Sequence, residues 1–135
     1  MGLDMFLNRR RKYKIGDGEY NRLVDENCEE VMYWRKANQI RAWFVANTDL
    51  NDDDNCRTII VTEENLEQLY EDCQTVLKDH SKASKILPCS SGFFFGSQKY
   101  DEWYFEDLKA TVDAIERIIE ETNFDEYEIE YYEWW

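Results

Sequence analysis

Residues 3–13, LDMFLNRRRKY, set Leu3, Met5 and Leu7 on one side of an extended chain and Asp4, Phe6, Asn8 and Arg10 on the other, which is the two-residue period of a β-strand. The ending DEYEIEYYEWW, residues 125–135, repeats the pattern, with Tyr127, Ile129 and Tyr131 on one face and Glu128 and Glu130 on the other. An acidic tail would be solvated, but this alternation predicts a strand. An antiparallel pairing of the two segments that sets Arg10 opposite Glu128 also sets Leu7 opposite Tyr131. That register preserves both faces and brings the basic run RRRK against carboxylates of its own chain.

Between these ends the period lengthens. From about Glu29 to Asn47, Tyr33, Ala37, Ile40 and Phe44 fall at helical spacing and predict a first helix. TDLNDDDN, 48–55, reads as a polar loop and TIIV, 58–61, as a short buried strand. Thr62 is placed to cap a second helix whose first turn carries Glu63 and Glu64 and whose apolar face runs through Leu66, Leu69, Tyr70, Cys73, Val76 and Leu77, fading near His80. Pro88 and the SSG at 90–92 end that region, GDG at 16–18 is a turn, and FFF at 93–95 is a short strand or a tucked loop. A third helix spans about Asp101 to Thr122. The fold class predicted is α+β, with about three helices packed on a small antiparallel sheet that pairs the N- and C-terminal strands, in one compact acidic domain over residues 1–135.

Composition narrows the function classes. The chain is 43% hydrophobic and 16% aromatic, too apolar to be disordered despite a net charge of −14. Residues 1–47 carry nine Lys/Arg against seven Asp/Glu, whereas residues 48–135 carry seven against twenty-three. Such an acidic field repels nucleic acid and membrane surfaces and steers towards basic partners. No apolar run is long enough to span a bilayer, and MGLDMFLNRRRK has its basic residues after the apolar stretch, the reverse of a secretory leader, so the expected location is cytoplasmic. Cys28, Cys56, Cys73 and Cys89 form no C-x-x-C pair, which argues for free thiols and against a zinc or redox site.

Catalytic and cofactor signatures fail one by one. DLNDDDNCRTII places Asp49, Asn51 and Asp53 as a calcium loop requires, but Asp54 stands where a glycine must turn the chain and Ile60 where a glutamate must close the cage. His80 is the only histidine, and Cys73, seven residues earlier on a helix, is about 10 Å away along the axis, too far for proton transfer. GFFFGS is neither a membrane dimer motif nor a phosphate loop. No enzyme, metal site or cofactor is expected.

The third helix is the most informative element. At 100° per residue Glu102, Glu106, Asp113, Glu116 and Glu120 fall within about 80° of one another, beside an apolar stripe of Tyr104, Phe105, Leu108, Val112, Ile115 and Ile119. Eight acids between Asp101 and Glu121 are spread over about 30 Å of helix, one per roughly 4 Å, against one phosphate per about 3.4 Å of a DNA strand. Lys109 lies on the same stripe, so part of the rail is ordinary salt-bridged surface. Tyr132, Trp134 and Trp135 add the aromatic composition of a protein interface.

MGLDMFL, YWRKANQIRAWF and GFFFGSQKYDEWYFEDL resemble small bacteriophage and prophage proteins, and in size and charge the chain is similar to anti-defence proteins of the anti-CRISPR class that occupy nucleic-acid-binding grooves. The resemblance implies a source and a kind of partner, and carries no catalytic residues. The function expected is a phage-encoded, non-enzymatic inhibitor that binds a basic host protein, itself nucleic-acid-binding. The partner-binding residues expected are Glu102, Glu106, Asp113, Glu116, Glu120, Glu128, Glu130, Trp134 and Trp135, with no direct nucleic-acid or membrane contact and the oligomeric state open. The alternative is a small-molecule binder, for instance a sponge for a nucleotide immune signal, with Phe93–Phe95 and Trp103 as its aromatic pocket and Arg35, Lys36, Arg41 or RRRK as its cations.

Overall fold

The computed structural model describes residues 2–12, 28–91 and 96–135; the GDG turn and the FFF segment lie outside them. Among the described residues are four strands and four helices, with β1 Asp4–Arg11, β2 Cys28–Arg35, α1 Asn38–Asn47, β3 Thr58–Val61, α2 Glu63–Lys78, the single turn α3 Ala83–Ile86, α4 Glu102–Glu121 and β4 Tyr127–Trp134. The strands form one antiparallel sheet in the order β2-β1-β4-β3. The α+β class is as the sequence predicts.

The outer segments of the chain meet at the centre of that sheet. β1 and β4 pair antiparallel with Leu7 opposite Tyr131 and Arg10 opposite Glu128, the register that the two alternating faces require. One face carries Leu3, Met5, Leu7, Ile59, Ile129 and Tyr131, all buried, against Ile40, Phe44, Leu66, Leu69, Leu108 and Ile115 from the helices. The rings of Phe44 and Tyr131 stack at 4.1 Å between α1 and β4.

The helix predicted from Glu29 is corrected. Residues 28–35 form strand β2, paired with β1, and the helix begins only at Asn38. Two causes are visible. Trp34 and Met32 face the core while Tyr33 faces away, so the segment has a strand's alternation. Trp34 then spends its indole N–H on Thr111 Oγ1 of α4 at 2.8 Å. Lys36 takes φ +56°, a left-handed conformation that separates strand from helix. The helical spacing of Ala37, Ile40 and Phe44 is real, and Tyr33 matches it by coincidence.

The other two helices start and stop as their end residues dictate. Thr62 and Asn65 form a reciprocal capping box at the start of α2, with Glu63 and Glu64 in the first turn. The Asp101 side chain accepts from the Tyr104 N–H at 3.2 Å and caps α4.

A through-space NMR spectrum tests the corrected segment. Cross-strand contacts between Phe6 and Tyr33 and between Met5 and Trp34 are expected; helical contacts running through 29–35 would contradict β2.

Candidate functional site

α2 and α4 lie side by side on the sheet and leave between them an open cleft of ≈ 730 Å³, lined by Glu64, Glu67, Gln68, Tyr70, Glu71, Glu116, Ile119 and Glu120. Two helices supply five carboxylates, no cation stands in the lining among the described residues, and Tyr70 and Ile119 add apolar surface. One of the carboxylates is held in place: Gln74 Nε2 donates to the Tyr70 hydroxyl at 3.1 Å, and that hydroxyl donates to Glu116 Oε1 at 2.7 Å. The bond to Glu116 also raises the Tyr70 pKa, because an ionised phenol there would face a carboxylate.

All five rail residues of α4 are exposed, as the helical pattern requires. They do not act as one strip. Glu116 and Glu120 look into the cleft with the glutamates of α2, whereas Glu106 lies 3.5 Å from Lys109 and lines a different hollow. The acids of α2 were not among the expected partner-binding residues. Their spacing, Glu64, Glu67 and Glu71, is nevertheless that of one helical stripe.

The predicted residues of β4 divide by strand parity. Glu130 is half-buried in an ion pair with Arg10 at 3.0 Å, and Arg9 pairs with Glu29 at 2.9 Å, so the basic run is largely answered within the chain. Trp134 is 59% exposed and stands on the face of the sheet away from the helices. Trp135 is tied inward: its indole N–H donates to Glu133 at 2.9 Å, its backbone exchanges hydrogen bonds with Asn55, and its ring lies 5.7 Å from the Arg41 guanidinium. The acidic cleft and Trp134 therefore lie on opposite sides of the sheet and do not form one surface.

The structure also shows a polar centre that the sequence reading passed over. Glu133 shares its face of β4 with Ile129 and Tyr131 and is wholly buried, as is Arg41 of α1. Arg41 Nε donates to both Glu133 oxygens at 3.0 and 2.9 Å, and the remaining guanidinium nitrogens donate to Asp52 Oδ1 at 2.9 Å and to the carbonyls of Asp52 and Asp54. The loop that superficially resembles a calcium site thus closes around a guanidinium, with Arg57 on Asp54 at 2.7 Å as a second cation. Arg41 is spent here and is not among the cations that could serve a phosphate ligand.

A second hollow, of ≈ 280 Å³, brings Arg35, Lys36, Lys99 and Trp103 together with Asp101, Glu106 and Asp107. Trp103 is 71% exposed, and Phe93–Phe95, the rest of the expected aromatic pocket, lie outside the described residues. Burial pushes the Asp107 carboxyl up to about 6, against the pull of the Gln39 amide that donates to it at 3.3 Å.

Two groups suited to covalent chemistry, Cys73 and His80, are otherwise engaged. Cys73 is buried and its thiol is raised far above its usual value by desolvation, which makes a poor nucleophile. His80 stacks on Phe105 with ring centroids 3.7 Å apart. Among the described residues no three His, Cys, Asp or Glu side chains converge to hold a metal ion, and no helix is long and apolar enough to cross a membrane.

Asp107 gives a signed pH dependence. Its folded-state pKa lies above the unfolded value, so its contribution to stability is greatest at low pH and is lost as pH rises through about 6. Asp107→Asn is expected to raise the melting temperature relative to the parent above about pH 7, by a margin that shrinks towards about pH 4. A margin independent of pH would show that the carboxyl is not perturbed.

Set against models of known protein families, against curated proteins and against solved structures, the chain matches none.

Proposed function

We propose that the protein is a non-enzymatic inhibitor that docks its α2–α4 face on a basic, nucleic-acid-binding groove of a host protein. The observation that carries this reading is the cleft itself: five glutamates from two helices, with no cation in the lining among the described residues. An isolated acidic helix face is ordinarily just solvated. Two helices that converge their carboxylates on a shared concavity offer a partner's arginines and lysines several acceptors at once, and the tyrosine bond to Glu116 fixes one acceptor in advance. A groove built for a phosphate backbone is the surface that such an array fits. The likeness of the sequence to phage proteins of the anti-defence class makes a bacterial defence protein the partner to seek, with the host cytoplasm as the place of action.

Relative to the sequence expectation, the interface moves. Glu116 and Glu120 stay at its centre, Glu64, Glu67 and Glu71 join it, and Glu106, beside Lys109, belongs to the other hollow. Trp135 and Glu130 leave it because their polar groups are already satisfied within the chain.

The hollow at Arg35, Lys36 and Lys99 keeps a second reading in view, a small-molecule site, since two of the cations that a phosphate needs do lie near Trp103. Its three carboxylates oppose a polyphosphate.

The test pairs capture with charge neutralisation. The protein, immobilised, is exposed to bacterial lysate at low and high salt beside a variant with Glu64, Glu67, Glu71, Glu116 and Glu120 changed to Gln. A basic nucleic-acid-binding protein is expected to be held at low salt, released by duplex DNA, and lost in the variant with a large drop in association rate. A partner that binds the variant with unchanged affinity and salt dependence would end the reading. A melting-temperature rise that saturates with a cyclic nucleotide would move the function to the second hollow.

A further inference from the structure

Arg35 stands between two hollows. One is the hollow at Lys36, Lys99 and Trp103; the other, of ≈ 200 Å³, is lined by Gly2, Asp4, Arg35, Trp134 and Trp135. The sheet builds this second lining, because β1 runs between β4 and β2 and Asp4 has Trp134 opposite it on one side and Arg35 on the other. A Cβ on Gly2 would stand 3.3 Å from Arg35 Nη2, so the guanidinium lies across bare backbone there. Trp135 is the fixed wall. Its indole N–H donates to Glu133 at 2.9 Å and its backbone N–H to Asn55 at 2.9 Å, which holds the residue in place before any ligand arrives. Trp134 is 59% exposed and takes no part in the core.

The lining holds one acid and one base, and they neutralise each other: Arg35 Nη1 donates to Asp4 Oδ1 at 3.1 Å. The Tyr33 hydroxyl donates to the same oxygen at 2.5 Å. Both bonds fall on Oδ1, which leaves Oδ2 to accept from a ligand, and the guanidinium has further N–H donors beside it. A ligand that satisfies both must set a donor next to an acceptor. We infer that this hollow binds a neutral, planar nitrogen heterocycle of nucleobase size, with its face on the tryptophans, an N–H on Asp4 and a carbonyl or ring nitrogen on Arg35.

Each part of that description answers a property of the hollow. Planarity comes from the two indoles, since flat rings gain most from stacking on an aromatic face. The size comes from the volume, which lies below the roughly 300 Å³ at which sites for drug-sized ligands begin and leaves room for one or two fused rings. Neutrality comes from the balanced lining: an anion would meet Asp4 in a protein of net charge −14, and a cation would meet Arg35. A quaternary ammonium, which tryptophans also attract, is opposed a second time, because the Arg41 guanidinium already lies 5.7 Å from the Trp135 ring. The hollow shares no residue with the acidic cleft, so the two readings stand or fall separately.

The test is an NMR titration that follows the indole N–H signals of the five tryptophans, with adenosine, cytidine, guanosine and uridine as uncharged probes. Saturable shifts are expected at Trp134 and Trp135. Added salt should leave the affinity unchanged, because neither probe nor lining carries net charge, whereas it should weaken docking of the acidic cleft on a basic partner. For each nucleoside that binds, the counterpart methylated at its donor nitrogen should bind about tenfold more weakly or worse. Trp134→Ala and Asp4→Asn remove the stacking face and the charged acceptor one at a time, and each should weaken binding by about tenfold or more. Trp103→Ala, in the other hollow, should bind as the parent does. Trp134 is more than half exposed, so its variant is expected to fold, and circular dichroism checks the fold of each variant. The inference is overturned if none of the four nucleosides gives a saturable shift, if binding survives Trp134→Ala or donor methylation undiminished, or if the response is confined to the Trp103 signal.

Discussion

Arg41 and Glu133 have no contact with solvent, and removing two such charges from water costs several kcal/mol for each ion unless each polar atom finds a partner. Here they do. Glu133 accepts from Arg41, from the Tyr131 hydroxyl and from the Trp135 indole, while Arg41 is also bound by Asp52 and by two loop carbonyls. Among the described residues no buried side-chain nitrogen or oxygen lacks a hydrogen-bond partner. The network joins α1, the 48–57 loop and the last strand. Because β4 lies between β1 and β3, anything that loosens Glu133 loosens both of their edges. Burial and the neighbouring carboxylate push the Tyr131 phenol well above its usual pKa, so the centre keeps a neutral donor on Glu133.

With that centre fixed, the distribution of the remaining charge follows. Arg9 and Arg10 are matched by Glu29 and Glu130, Arg35 by Asp4, and Arg57 by Asp54. The surplus of carboxylate falls on α2 and α4, the layer most remote from the open sheet face. The molecule thus has two unlike surfaces: an acidic, concave helix layer, and an open sheet face with an aromatic row of Phe6, Tyr33 and Tyr132.

Much of this was legible in the sequence where two signals agreed. The β1–β4 register could be read because apolar alternation and the pairing of Arg10 with an acidic strand demanded the same alignment. α2 and α4 could be read because caps and apolar stripes coincided. β2 was missed because Tyr33 is in helical step with Ala37, Ile40 and Phe44, and only the pairing with β1 and the left-handed Lys36 separate the two periods. Glu133 was half legible. It has the parity of Ile129 and Tyr131, so the alternation already placed an acid on the buried face, but its cation lies 92 residues away, a distance that no local pattern spans. The acidic cleft was missed for a similar reason, since each helix shows its own stripe and only tertiary packing brings the stripes together.

The dependence of the fold on its buried pair is tested most directly by a double-mutant cycle in chemical denaturation, with Glu133→Gln, Arg41→Met and the double variant. Glu133→Gln removes the buried counter-charge of a buried guanidinium and leaves it the exposed Asp52, so it should cost about 3–5 kcal/mol, whereas removing Arg41 as well should recover a large part of that loss. If Glu133→Gln is as stable as the parent, or if the two substitutions simply add, the pair is not what holds α1, the loop and β4 together.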